Sequence, residues 1–158
     1  MKVTVICVGK LKEKFYQEAV AEYKKRVSRF AELEIVELPD ERIPENASAA
    51  ELEAVKRREG ERILAKIKPE SHVISLCVEG KLLSSEELAE DISRASIRTS
   101  RIVFVIGGSL GLSDEVKAAS SVRLSFGRMT LPHRLMRVVL AEQIYRAFMI
   151  NKGAAYHK

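Results

Sequence analysis

Two short stretches hold most of the groups that could do chemistry. After the apolar run Ile102–Ile106 comes GGSLGLSDE, with Gly107, Gly108 and Gly111 close together before a helix start. Glycine lets a ligand approach the main chain closely and leaves N–H groups free to hold it. After VRLSF comes GRMTLPH, which ends at His133 and opens the apolar run RLMRVVLAEQIYRAFMI. A third stretch, SLCVEGK, adds Leu76 and Gly80. None of these is a GxGxxG fingerprint, and no GK[ST] of a Walker A loop occurs. On its own, the first is equally an ordinary strand-to-helix turn. If the three converge, they form a slot with apolar walls and bare main-chain donors and acceptors. Such a slot suits a flat heterocycle such as adenine.

The elements that would position these stretches follow from periodicity. VTVICVG (3–9), LEIVEL (33–38), HVISLCVE (72–79), RIVFVIGG and VRLSF read as strands. Five successive apolar residues, Ile102–Ile106, mark a strand covered on both faces. Gly80 is expected to begin the turn after the third strand. Phe15, Ala19, Val20, Tyr23, Val27 and Phe30 recur at three and four, giving a helix between Lys12 and Phe30 with that face inward. Ser48-x-x-Glu51 and Ser84-x-x-Glu87 are capping boxes that open two more helices, the first weakened by Gly60. A helix follows Ser113, with Asp114 and Glu115 at its positive end. The last runs from His133 to about Asn151, with Pro132 in its first turn.

Alternating strands and helices predict an α/β domain with a mostly parallel sheet and helices on both faces. In open sheets of this kind, ligands lie beyond the carboxyl ends of the strands, where all three stretches fall. A chain of 158 residues suits one domain, 1–158. The last helix is apolar nearly all round, from Leu135 to Ile150, and so needs cover on a second side, for which another subunit is the natural candidate.

Bulk properties narrow the partners. No run of about 18 apolar residues exists to span a membrane, and MKVTVICVGK is too short and alternating for a signal peptide. Cys7 and Cys77 lie singly in strand-like runs and are expected to be buried, reduced packing residues of a cytoplasmic protein. Three scattered His and two Cys make no metal site. From Arg123 onward, seven Lys and Arg stand against the single acid Glu142. That basic end is either a solvated face or the footprint of a polyanion such as nucleic acid. With 6% aromatics and no Trp, no interleaved basic and aromatic platform for stacking bases is expected.

FVIGGSLGL, LSFGRMTLPHRLMRVVLAEQIYRAF and the terminal AYHK together resemble the ribosomal RNA large-subunit methyltransferase H family of the SPOUT superfamily. VTVICVGKLKEKFYQEAVAEYKKR resembles that family's N-terminus, so the likeness runs end to end. It implies a homodimer with a C-terminal trefoil knot, a feature rare among folds. It also implies methyl transfer from S-adenosylmethionine to an imide nitrogen, N3, of a pseudouridine in 23S rRNA of assembled ribosomes, without a metal. The family's cofactor positions fall on Leu76, Gly107, Gly108, Phe126, Gly127, Arg128, Met129, Thr130 and Leu131.

The imide must lose a proton, and charge developing on its carbonyl oxygens needs cations or N–H donors. The candidates are His133, Arg134, Arg137, Tyr156, His157 and Lys158. Each has a plainer reading: His133 as a structural residue of the loop, the arginines as phosphate ligands or ion-pair partners, the tail as a frayed end. Two other functions compete with the enzyme. One is a non-catalytic ribosome- or RNA-binding dimer, and the other is a nucleotide-binding regulator.

Overall fold

The structure, a computed structural model, describes residues 1–158. Five strands, β1 (Lys2–Val8), β2 (Glu32–Leu38), β3 (His72–Leu82), β4 (Arg101–Ile106) and β5 (Val122–Ser125), form one sheet in the order β2-β1-β4-β3-β5. Every pairing is parallel. The helices are α1 (Lys14–Val27), α2 (Ala49–Lys66), α3 (Ser85–Ser96), α4 (Asp114–Ala118) and α5 (His133–Asn151). On one face α5 packs between α1 and α3, and on the other α2 packs with α4.

Period-two alternation divides the core between these layers. Val3, Val5 and Cys7 of β1 and Ile102, Phe104 and Ile106 of β4 join Leu140 and Ile144 of α5. Ile6, Val8, Val103 and Val105 point the other way, toward Ile63 of α2 and Val116 of α4. All five residues of the Ile102–Ile106 run are buried, as its unbroken apolar character predicts. Each such side chain contributes about 1.5–3 kcal/mol relative to an exposed one.

Both capping boxes form. The Ser48 hydroxyl accepts from the Glu51 N–H, the Ser84 hydroxyl accepts from the Glu87 N–H, and each glutamate accepts from its serine's N–H. The Ser113 hydroxyl likewise caps α4, accepting from the Val116 N–H. Gly60, which costs α2 helical propensity, lets it approach α4: a Cβ there would lie 3.1 Å from the Ser113 Cβ and 3.3 Å from a Val116 methyl.

Four expectations are corrected. β3 does not turn at Gly80 but continues to Leu82, and both Leu76 and Lys81 pair with Leu124. Residues 77–80 therefore bulge out of the ladder. Gly80 makes the continuation possible, because a Cβ there would meet the Arg123 and Leu124 backbone at 2.8 Å. The first helix is shorter than expected at both ends, and Phe15 is 64% exposed rather than inward. Pro132 is the N-cap of α5, just outside the helix, and offers no side-chain cap. Cys77 is only half-buried, on the bulge.

Helix α5 places Arg137, Leu140, Ala141, Ile144 and Ala147 inward at helical spacing. Its outward stripe, Leu135, Val138, Val139, Glu142, Arg146 and Met149, is half-buried. Tyr23, expected to face inward, and Tyr145 are also half-buried and join Tyr156 in a ladder of aromatic rings beside α5.

A main-chain crevice at the carboxyl edge of the sheet

The three glycine-bearing stretches do converge. A crevice of about 530 Å³ opens beyond the carboxyl ends of β3, β4 and β5. One wall is the β3 bulge, Leu76 to Glu79. A second is the loop Ile106–Leu112, and the third is Phe126–His133 with Met136 of α5 behind it. The β3 irregularity thus has a use: it swings Cys77, Val78 and Glu79 over the opening.

Main-chain geometry shapes the other two walls. Gly111 donates its N–H to the Gly108 carbonyl at 3.0 Å, closing a tight turn with φ +81° at Gly111. Gly107 packs against that turn so closely that a Cβ would sit 2.9 Å from the Gly111 carbonyl carbon. The third wall is pinned by buried Ser125, whose hydroxyl accepts from the Gly127 N–H at 3.1 Å. Gly127 adopts φ +125°, which L side chains avoid, and its Cβ position is empty of neighbours within 4 Å.

The donor set suits an adenosyl group. The volume lies in the range of cofactor pockets, half of the 22 lining residues are hydrophobic, and glycines leave main chain bare on two walls. The pocket's side-chain charges sit at its edge. Lys117 pairs with Glu79 there, which holds the glutamate below the usual carboxylate range and raises the lysine. Lys56 pairs with Glu53 at 2.7 Å. No cluster of three His, Cys, Asp or Glu side chains that could hold a metal ion occurs.

Of the residues expected to hold the cofactor, Leu76, Gly107, Gly108, Phe126, Gly127, Met129, Thr130 and Leu131 line the crevice. The exposed Arg128 does not line it. Ser109, Leu110 and the bulge residues Cys77, Val78 and Glu79 line it without having been anticipated. Gly111 had signalled the first two, whereas Gly80, read as a turn, concealed the bulge.

The six residues considered for chemistry separate into three groups. His133, at the uncapped N-terminus of α5, lines the crevice. Burial first, then Arg137 and Arg134, lower its pKa against the opposing pull of Asp40 and Glu13, so the ring is neutral at pH 7. Its Nδ1 is buried without a hydrogen-bond partner. Arg134 pairs with Glu13 behind it.

Arg137 is buried at 3% exposure and works as a brace. Its Nη1 donates to Glu37 at 2.7 Å and its Nη2 to the Gly9 carbonyl at 2.7 Å, tying the ends of β1 and β2 to α5. Arg137→Ala is expected to cost about 2–4 kcal/mol of stability, since the Gly9 and Val8 carbonyls and the Glu37 carboxylate lose their shared donor. Urea unfolding checks this. An unchanged midpoint with lost activity would instead place Arg137 in the reaction.

The third group is the tail, folded back on α5 away from this crevice. The Tyr156 hydroxyl donates to Glu142 at 3.2 Å, its ring meets Tyr145 edge-on at 4.9 Å, and Arg146 lies 4.8 Å over its face. His157 bridges Arg146 at 3.1 Å and Glu86 at 2.7 Å, and Lys158 is exposed. Glu142 lies nine residues beyond His133, or about 14 Å along the helix.

Beneath the glycine turn lies a carboxylate that sequence reasoning missed. Glu59 of α2 is 6% exposed, accepts from the Glu41 N–H at 3.0 Å, and sits 3.3 Å from where a Gly108 Cβ would be. Burial raises its pKa; the hydrogen bond from the Glu41 N–H opposes this most, Arg62 opposes it too, and the Asp40 and Glu41 carboxylates add to the rise. A raised acid pKa means the folded state binds the proton more tightly, so ionised Glu59 costs stability above its unfolded value. Glu59→Gln is expected to raise Tm at pH 7, with the gain vanishing near about pH 4. Thermal melts across that range test it.

An all-parallel sheet with a glycine-walled crevice at its carboxyl edge places the chain among α/β proteins whose ligand sites lie beyond the strand ends. Residues 1–157 match a family described as predicted SPOUT methyltransferase. The chain is 57% identical, over its full length and theirs, to ribosomal RNA large subunit methyltransferase H of two Lactococcus lactis strains, subsp. cremoris SK11 and subsp. lactis IL1403. The protein of that name from Lactobacillus delbrueckii subsp. bulgaricus (strain ATCC BAA-365 / Lb-18) is 55% identical over the same span. The chain belongs to this methyltransferase H family of the SPOUT superfamily. The fold is also that of a probable methylase family protein from Haemophilus influenzae Rd KW20, with a TM-score of 0.54 and 13% identity over 99% of this chain and 70% of that one.

Proposed function

We propose that the protein transfers a methyl group from S-adenosylmethionine to N3 of a pseudouridine in 23S rRNA of assembled ribosomes. The observation that carries this is the crevice, whose walls fall on the family's cofactor positions in a chain matching its relatives from end to end. The reading takes residues 1–158 as one domain working in the cytoplasm as a homodimer. In the same reading the C-terminal part of the chain is threaded as the family's trefoil knot. No helix is long and apolar enough to cross a membrane. The half-buried outward stripe of α5 is the surface on which a second subunit would lie.

Bound S-adenosylmethionine supplies a methyl on a sulfonium, which makes transfer an in-line displacement without a metal. The chain's task is alignment, exclusion of water and help for the departing imide proton. Leu76, Gly107, Gly108, Phe126, Gly127, Met129, Thr130 and Leu131 hold the adenosyl group. Arg128, turned outward, faces the RNA. His133, neutral and at the crevice edge, accepts a hydrogen bond from the imide N–H. Arg134 and the tail residues Tyr156, His157 and Lys158 stabilise charge on the flanking carbonyl oxygens. Arg137 holds the base of α5 in place. Because the tail rests about 14 Å along α5 from its own His133, it serves the crevice of the partner subunit.

The experiment is to incubate the protein with ribosomes and labelled S-adenosylmethionine and to map the modified nucleotide. Label on N3 of one pseudouridine is expected. No heat of cofactor binding to the folded protein would favour a purely RNA-binding dimer instead.

A further inference from the structure

The chain between β1 and α1 alternates. Gly9, Leu11 and Glu13 face inward: the Gly9 carbonyl accepts from Arg137, the Leu11 N–H donates to Glu37 at 2.6 Å, and Glu13 pairs with Arg134. Lys10, Lys12 and Lys14 face solvent. Lys14 reaches a carboxylate only loosely, Glu18 at 3.9 Å, with its side chain 87% exposed. Directly after these lysines, Phe15 stands 64% exposed, its ring 4.2 Å from that of Tyr16.

Low aromatic content argues against an extended basic and aromatic platform, but the segment from Lys10 to Tyr16 sets exposed lysines beside an exposed ring. Its inner residues fix its place beside the crevice. Gly9 lies against His133, 3.7 Å from ring carbon to Cβ position, and Arg134 and Arg137 hold the rest. An exposed aromatic face next to three exposed cations matches the chemistry of an unpaired nucleotide: a flat base to stack and phosphates to pair.

We propose that Lys10–Tyr16 is a second RNA contact, in which Phe15 stacks an unpaired base near the target nucleotide and Lys10, Lys12 and Lys14 track its phosphates. This rests on the methyltransferase reading above. Stacking on one base is worth about a fivefold change in affinity or more, and each lysine contact about 0.7 in the salt slope. The alternative occupant of Phe15 is a second copy of this chain.

The test compares wild type, Phe15→Ala, Phe15→Leu, Phe15→Trp and the triple change Lys10→Ala, Lys12→Ala, Lys14→Ala. Four quantities are read: methyl transfer to ribosomes, the ribosome KM against salt, cofactor Kd by calorimetry, and mass by light scattering. Phe15 is exposed enough that its variants should fold, and unchanged Tm confirms this. Phe15→Ala is expected to raise the ribosome KM about fivefold or more, with cofactor Kd and mass unchanged. Phe15→Trp should restore it and Phe15→Leu should not. The lysine variant should lower the log–log salt slope by about two. An unaltered KM for Phe15→Ala, rescue by Phe15→Leu, or a change in mass overturns the RNA contact while the enzyme reading stands. A wild-type protein that methylates no ribosome overturns both.

Discussion

Gly107→Ala is expected to weaken S-adenosylmethionine binding and, by misaligning the methyl donor, to lower methyl transfer by about a hundredfold. The added methyl would lie 2.9 Å from the Gly111 carbonyl carbon, 2.9 Å from a Leu112 methyl and 3.0 Å from the Gly111 oxygen. Two of those three atoms are main chain, so no flexible side-chain end can yield. The turn closed by the Gly111-to-Gly108 hydrogen bond must open instead, and Gly108, Ser109 and Leu110 move with it. A shift of about 1 Å in such a wall costs on the order of a hundredfold where alignment matters. Gly153→Ala is the control. Gly153 has a positive φ, +67°, which Gly107 lacks, and lies past the far end of α5 with open space around it. It should cost some stability and no affinity. Calorimetry and thermal melts on both variants make the comparison. Equal affinity in Gly107→Ala and wild type would remove the glycine turn from the binding site.

Deleting Tyr156–Lys158 is expected to lower kcat by about a hundred- to a thousandfold, the range for removing groups that stabilise developing charge. Cofactor affinity should hold, because none of the three lines the crevice of its own chain. The cost in stability should be modest: the deletion uncovers one face of Tyr145 and releases Arg146, which keeps Glu142 at hydrogen-bond distance. Which crevice the tail serves is then readable by mixing. A dimer of one tail-deleted subunit and one Gly107→Ala subunit has one sound crevice and one sound tail, on different chains. Transfer restored in the mixture means the tail acts across the dimer. An inactive mixture means each tail serves its own chain.

The sheet was legible because its strands are short-range patterns. Alternation in β1, the unbroken run of β4 and the serine caps at Ser48 and Ser84 each depend on residues within one turn or one strand. The glycine stretches were legible for the same reason. What stayed hidden depends on partners far away in the chain. Arg137 looks like a cation on an apolar helix until Glu37, one hundred residues earlier, is placed beside it. Gly80 reads as a turn unless the backbone of Arg123 and Leu124 is known to press on it. Phe15 fits a helical stripe, but the helix begins only at Lys14, so its first turn lies beyond the sheet's cover. The tail's anchoring needs Glu86, which arrives from another helix.

Main chain bared by glycine at the sheet edge is the centre of the account, and a crystal structure with S-adenosylmethionine tests it most directly. The adenine should lie between Leu76, the Gly107–Gly108 pair and the Phe126–Leu131 run, hydrogen-bonded to backbone, with the methyl directed toward His133. Clear density for the donor at another place on the protein, with this crevice closed by its own side chains, would contradict it.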